Sequence, residues 1–338
     1  MRVLVIGGTG FIGSCVVRRL IELGHDVAIL HRGTTTTALP GAVRHIRGNR
    51  NDFANVQPEV LRLRPDVVLD VIPYTESQAR ELMETFLGLA QRVVAISSSD
   101  VYRNYDGFRG KATAPPDPVP LSEDAPLRET RYPYRDYGLP FDWADDYDKI
   151  PIEQIVLSEP SLPGTVLRLP AVYGPGDTQH RLRPYFSRMN AGRPAVFMAT
   201  EQAEWRWTRG YVENVASAIA LAVSDDRAAG RIYNIGDESA LTEREWAQEI
   251  GIAFGWNGEV IEVPAEDLPK HLRQQFDFRY ELATDTTRIR AELSYGELVG
   301  WEEALKRTVR WERSQPAEQE PENYAAEDEL FAAQRNAV

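Results

Sequence analysis

Gly7, Gly10 and Gly13 recur every third residue in Gly7-Gly8-Thr9-Gly10-Phe11-Ile12-Gly13, between an apolar run and an amphipathic one. Glycines so placed make a tight turn, let backbone approach a pyrophosphate and allow the following helix to pack close to the strand. The helix start adds free N–H groups and a partial positive charge. Gly7, Thr9, Gly10, Phe11, Ile12 and Gly13 are therefore assigned to the phosphates of a dinucleotide. The second apolar run ends Ile29-Leu30-His31-Arg32-Gly33, where an NAD site carries Asp or Glu for the ribose 2′-hydroxyl. His31 and Arg32 stand there instead, and a guanidinium suits a 2′-phosphate, with Thr34–Thr37 as added donors. NADP is favoured over NAD on this ground; a solvated loop cation is the plain alternative for Arg32.

The elements that must hold this turn alternate. Apolar runs at Val3–Ile6, Val27–Leu30, Val43–Ile46, Val67–Val71 and Val93–Ile96 read as strands, separated by helical patterns near Phe11–Leu23, Asp52–Leu63 and Thr75–Leu89. Short connections and Val/Ile-rich strands predict a doubly wound α/β Rossmann domain whose parallel sheet is covered on both faces. From Arg103 to Phe141 the periodicity stops and seven prolines appear, which predicts a lid or a partly mobile insertion. A helix at Lys149–Ser158 and a strand at Thr165–Leu169 resume the pattern. Beyond them, helices are expected at Leu182–Ala191, Glu213–Val223, Glu243–Phe254 and Trp301–Glu312, with strands at Tyr211 and Ile232–Ile235. The division expected is a Rossmann domain over 1–174, to which 208–236 returns. A smaller mixed α/β substrate domain takes 175–207 and 237–312. Residues 313–338 read as an acidic, mobile tail with a short helix near Glu327–Gln334.

The net charge of −13 repels phosphate backbones and anionic membranes, so neither nucleic acid nor a membrane is an expected partner. No apolar stretch reaches the roughly 18 residues of a membrane span, and the opening residues lack the features of a signal peptide. Cys15 alone excludes internal disulfides and points to a reducing cytoplasm. Scattered histidines give no metal-ligand spacing, so no metal is expected.

Four segments together resemble the extended short-chain dehydrogenase/reductases of the NAD-dependent epimerase/dehydratase type. They are GGTGFIG at the start, Ser97–Tyr102, Leu167–Asp177 and Thr284–Trp311. The resemblance implies a Ser–Tyr–Lys catalytic group. Ser98 falls at the serine, and Ser99 and Asp100 at two positions where dehydratases of this type carry an acidic pair. The family's Tyr-x-x-x-Lys is missing. Taking Lys149 as the ribose-binding lysine puts Asp145 at the tyrosine position, with Tyr147 the nearest phenol. Asp148 as a helix N-cap would leave Tyr147 on a bent, non-helical approach. Three readings stay open: Tyr147 as proton donor, Asp145 or a lid residue in other acid/base chemistry, or cofactor binding with little redox turnover.

The same resemblance places Asn49 near the adenine, Arg50 on the adenine or a 2′-phosphate, and Ile72, Pro73 and Pro170 beside the cofactor. Ser99, Asp100, Tyr102, Arg181 and Arg209 are the substrate-side candidates, with Arg206, Trp205 and Trp207 nearby. Ala171 occupies the place of an asparagine that nucleotide-sugar relatives use, which leaves a uridine-diphosphate grip in doubt. The expected activity is hydride exchange at a hydroxyl or carbonyl carbon of a polar small molecule, including sugar derivatives. A homodimer through the Thr75–Leu89 and Lys149–Ser158 helices is permitted.

Overall fold

The first strand reads Arg-Val-Leu-Val-Ile, apolar on both of its sides, and is stable only where helices cover both faces of its sheet. The computed structural model, which describes residues 1–35, 37–316 and 324–336, has that architecture. Its first half runs β1 (Arg2–Ile6), α1 (Phe11–Glu22), β2 (Asp26–His31), β3 (Arg44–Arg47), α2 (Phe53–Leu63), β4 (Val67–Asp70), α3 (Glu76–Phe86), β5 (Arg92–Ser98), α4 (Arg103–Phe108), α5 (Lys149–Leu157) and β6 (Gly164–Leu169). There follow β7 (Ala171–Tyr173), α6 (Arg183–Asn190), β8 (Ala195–Ala199), α7 (Thr200–Glu204), β9 (Arg209–Tyr211), α8 (Val212–Ser224) and β10 (Ile232–Asn234). The last are α9 (Glu243–Phe254), β11 (Glu259–Val263), α10 (Thr287–Leu293), α11 (Trp301–Ser314) and α12 (Tyr324–Asn336).

Seven strands form one sheet of order β10-β6-β5-β4-β1-β2-β3, parallel at every pairing. This is the doubly wound Rossmann arrangement the sequence predicted. Ile6 lies opposite both Leu30 and Asp70, so the C-terminal ends of β1, β2 and β4 meet at one edge. Alternate residues of the strands go to opposite cores. Val3, Val5, Val27 and Ile29 pack with Val16, Val17 and Leu20 of α1 and with Val215 and Ile219 of α8. Leu4, Ile6 and Leu30 pack on the other face with Val60 of α2, Phe86 of α3 and Val156 of α5. Each such burial contributes about 1.5–3 kcal/mol, which fixes sheet and helices as one body.

A smaller unit is built on β8 and β11, paired in parallel and backed by α6, α7 and α9, while β7 pairs with β9. The sequence reading does not anticipate β7, β8 and β11. The acidic C-terminal stretch, expected to be mobile, is over 324–336 the docked helix α12. Leu330 and Phe331 pack against the cluster of Phe197, Val263 and Leu268. Glu327 is 2% exposed, accepts from Nε and Nη2 of Arg188 at 2.9 and 2.8 Å, and lies 2.9 Å from His271 Nε2. Composition read this acid as solvated; three donors on the body of the protein bury it instead. Of the rest of the expected tail, 313–314 continue α11, and 317–323 and 337–338 lie outside the described residues, as does Thr36 of the Thr34–Thr37 loop.

The proline-rich stretch after β5 opens with α4, and its remainder is irregular yet anchored. Asn104 Nδ2 donates to the carbonyls of Asp117 and Glu281 at 3.1 and 3.0 Å, and Leu121 N donates to Ala283 O at 2.8 Å.

Candidate cofactor and acid–base site

Where β1 to β4 end, a cleft of about 230 Å³ opens, bordered by Gly7, Thr9, Gly10, His31, Arg32 and Ile72. The glycines of its floor differ in what they allow. Gly7 has φ +92°, and a Cβ there would meet Ile72 at 3.0 Å. A Cβ on Gly13 would sit 2.2 Å from the Gly7 carbonyl oxygen, so α1 rests directly on the turn. A Cβ on Gly10 would meet nothing within 4 Å, although Gly10 is the N-cap of α1 and borders the cleft. Among the described residues no side chain caps that helix. Unclaimed first-turn amides, facing space that a methyl group would fill, fit a pyrophosphate. Thr37 Oγ1 donates to Thr9 O at 2.7 Å and ties the loop after β2 over the turn. Phe11 lies 3.4 Å from the position a Cβ on Gly176 would take, and Ile12 packs against the core.

At the adenosine end, His31 and Arg32 both border the cleft. Asn49 borders it too, but its Oδ1 already accepts from Asn51 N at 3.1 Å. Arg50 corrects the expectation. It is 8% exposed, its Nη1 donates to Asp70 Oδ2 and Ile72 O at 2.5 and 3.0 Å, and its Nη2 donates to Gln78 O at 3.2 Å. A guanidinium pinned in this way braces the ends of β3 and β4 and cannot swing to a 2′-phosphate.

The acid–base groups gather where β4 and β5 end. Asp148 is the N-cap of α5, its Oδ1 accepting from Ile150 N at 3.1 Å, and Arg128 pairs with it in full burial. The residues before it are therefore not helical in the manner of α5. Tyr147 is extended (φ −66°, ψ 120°) and bridges in antiparallel fashion to Thr75, which turns its side chain inward to 7% exposure. Its hydroxyl donates to Asp100 Oδ2 at 2.9 Å. Lys149 Nζ donates to Pro73 O and Ile96 O at 2.6 and 3.0 Å and stands 5.5 Å from the centre of the Tyr147 ring. Ser98 Oγ accepts from Asp100 N at 3.2 Å. Asp100 thus joins the phenol and the serine, and its Oδ1 is buried with no partner among the described residues.

Burial dominates the electrostatics. It pushes the Asp100 carboxyl above its ordinary value against the pull of Arg128 and Tyr147. Burial, with the Asp100 charge behind it, also holds the Tyr147 phenol well above 10.0. Lys149 is pressed down to about 8 by burial, although Asp100 and Asp70 favour its charge. Tyr147 is therefore a proton donor at neutral pH, not a resident tyrosinate.

Sequence reasoning missed two phenols. Tyr134 donates to the same Asp100 oxygen at 3.3 Å, and Tyr105 lies 2.9 Å from Tyr134 across their hydroxyls. Both come from the proline-rich region, where a Tyr- and Arg-rich composition was the available signal.

Other expected site residues are placed elsewhere. Asp145 is exposed and its Oδ1 accepts from Asp136 N at 3.2 Å, so it does not take the place of the missing tyrosine. Tyr102 is fully buried, donates to Asn234 Oδ1 at 2.6 Å, accepts from Arg168 Nη1 at 3.1 Å and cannot touch a substrate. Arg209 is buried on Glu243 and stacks 4.4 Å from the centre of the Trp246 ring. Arg181 Nη1 is taken by Val172 O and by Asp177 Oδ1, each at 2.8 Å. Arg206 faces Glu281 at 3.6 Å. Trp205 is buried, donates Nε1 to Tyr280 O at 2.9 Å and stacks on Phe108. The cations expected to meet an anionic substrate are thus spoken for by acids of the chain itself. Ser99 stays half-buried beside Ser98, and Pro170 ends β6 against Gly210 and Gly236.

Comparison with known proteins extends the geometry. The sequence pattern of the NAD dependent epimerase/dehydratase family matches residues 3–236. The chain is 29% identical over 273 residues to the 2′-dehydrokanamycin reductase of Streptomyces kanamyceticus, covering 79% of this chain and 70% of that one. It is 28% identical over 354 residues to the dTDP-glucose 4,6-dehydratase of Streptomyces niveus, covering 95% of each. The UDP-glucose 4-epimerase of Thermus thermophilus, solved in complex with NAD, superposes with a TM-score of 0.65 over 93% of this chain and 99% of its own, at 23% identity.

Proposed function

The chain belongs to the NAD-dependent epimerase/dehydratase family, and from that membership we propose that it exchanges hydride with a hydroxyl- or carbonyl-bearing carbon of a polar small molecule, sugar derivatives included. The observation that carries the reading is Tyr147, aimed by a non-helical approach at Asp100 beside Lys149 and Ser98. We infer NADP in preference to NAD, because Arg32 stands where an acid would bond a ribose hydroxyl. When bound, the cofactor supplies or accepts the hydride.

The chain's own residues do the rest. The first turn of α1 holds the pyrophosphate. Lys149 has three ammonium donors, two of them committed to Pro73 O and Ile96 O, and the third is left for a ribose hydroxyl. In reduction Tyr147 Oη gives its proton to the substrate oxygen while the Ser98 hydroxyl bonds the same oxygen. Asp100, when protonated, returns a proton to Tyr147; in oxidation the same atoms carry it back. A substrate whose recognition does not need a free arginine suits the paired state of Arg181, Arg206 and Arg209. The relatives named for sugar substrates support a polar hydroxylated one. A homodimer through α3 and α5, which lie side by side, belongs to the same proposal, and sedimentation velocity tests it.

The experiment is to follow NADPH absorbance while the purified chain meets a panel of keto sugars and other carbonyl compounds. Oxidation by one or more is expected, with Tyr147→Phe lowering the rate about 10²-fold or more while leaving NADPH bound. No redox change with any compound would make the chain a holder of the cofactor without turnover.

A further inference from the structure

The adenosine end of the cleft carries more positive charge than Arg32 alone supplies. Arg47, the last residue of β3, stands in register opposite His31 of β2. A Cβ on Gly33 would lie 3.6 Å from Arg47 Nε and 3.9 Å from its Cζ, so this guanidinium runs alongside the Arg32-Gly33 turn. His45, two residues earlier, holds its Nδ1 3.0 Å from His31 Nε2, with the rings edge-on at 5.0 Å. His31 Nδ1 is buried and has no partner among the described residues. Among the described residues neither Arg32 nor Arg47 forms an ion pair, in a chain whose net charge is −13. Arg50, at the inner side of the same cleft, is locked to Asp70 instead. Burial first, and the neighbouring His45 and Arg47 after it, press the His31 ring below its ordinary value. Like charges left side by side without a counter-charge raise the free energy, and an anion seated between them lowers it.

We propose that Arg47 is the second arginine of a site for a ribose 2′-phosphate, closing on it from β3 while Arg32 closes from β2. The His31–His45 pair backs the two guanidinium groups, and Thr34 and Thr35, which border the cleft, supply hydroxyl donors. The site deepens the NADP reading above and rests on it. A phosphate monoester brings about 1.5–2 negative charges and three acceptor oxygens, enough for two guanidinium forks at once. A hydroxyl at the same position offers neither.

The test is binding by the full chain, followed by calorimetry with two probes that differ only by the 2′-phosphate: adenosine 2′,5′-bisphosphate and adenosine 5′-monophosphate. The wild-type chain should prefer the bisphosphate. Arg47→Gln should weaken the bisphosphate about tenfold or more, as expected for loss of a charge-assisted bond, and leave the monophosphate within about twofold. Arg32→Gln should act the same way, and the double variant should bind the two probes equally. Both side chains are exposed, so unchanged thermal unfolding checks that the variants are folded. A wild-type preference that survives intact in Arg47→Gln would overturn the role of Arg47 alone. No preference in the wild-type chain would overturn the NADP reading and Arg47 with it, while NADH binding would still stand for the dinucleotide site.

Discussion

Exchanging one glycine for alanine at two positions of the same turn should separate ligand binding from folding. Gly10 has φ −79° and ψ −177°, which alanine adopts freely, and a Cβ there meets nothing of the protein within 4 Å. Gly10→Ala should therefore cost only what alanine costs as a helix N-cap, about 0.5–1 kcal/mol. Its methyl group would stand where the pyrophosphate rests, and losing even one charge-assisted amide bond costs about 1.5–3 kcal/mol. Dinucleotide Kd should rise by about 10- to 150-fold. Gly13→Ala is the reverse case. Alanine gains about 1 kcal/mol of helix propensity over glycine, but its Cβ would lie 2.2 Å from the Gly7 carbonyl oxygen. That oxygen is backbone, so α1 must lift off the turn, at a cost of about 3 kcal/mol, the upper end for overpacking. Thermal unfolding and titration with NADPH, followed by quenching of tryptophan fluorescence, read the two effects apart. A Gly10→Ala chain that binds like wild type would refute the placement of the pyrophosphate. A Gly13→Ala chain that melts like wild type would refute the packing argument.

Three more outcomes follow from the same geometry. Because the third donor of Lys149 exists only while the amine is protonated, NADPH affinity should fall as pH rises through about 8, and Lys149→Met should lose that pH dependence; titrations at a series of pH values check it. The Asp100 carboxyl is raised in the folded state above 3.8, so the folded chain binds the extra proton and the wild type loses stability as pH climbs from there through the folded value. Asp100→Asn escapes that loss. Its unfolding free energy relative to wild type, measured in urea, should rise with pH across the window, by about 1.4 kcal/mol for each unit of the raised pKa, and a constant difference would contradict the assignment. Glu327→Ala should destabilise the chain by about 3 kcal/mol, since it leaves the buried Arg188 without its carboxylate, and an unchanged midpoint in urea would show that α12 is not held as described.

The Rossmann half was legible because its strands are buried on both faces and its helices have a clear apolar stripe: the patterns at Val3–Ile6 and Phe11–Leu23 match β1 and α1 to within a residue. The glycine turn was legible because its spacing is distinctive, and at Gly7 and Gly13 it answers a steric demand of the fold. The proposed lysine and tyrosine of the site were half legible. The family resemblance, with its one-turn spacing, puts Asp145 at the tyrosine position, whereas the N-cap at Asp148 breaks the helix and lets an extended Tyr147, only two residues from the lysine, reach Lys149. Arg50, Arg181 and Arg209 were misread for one shared reason. Nothing in a linear sequence says that Asp70, Asp177 or Glu243 will fold onto them. The same blindness hid Glu327, whose partners Arg188 and His271 lie far off in sequence.

A structure of the chain with NADPH bound tests the central claim most directly. The account predicts the pyrophosphate against the first amides of α1, Lys149 Nζ within hydrogen-bond reach of the nicotinamide ribose, and the Tyr147 hydroxyl opening onto the space above the nicotinamide ring. A pyrophosphate seated away from Gly10, or a nicotinamide turned away from a Tyr147 still closed against Asp100, would contradict it.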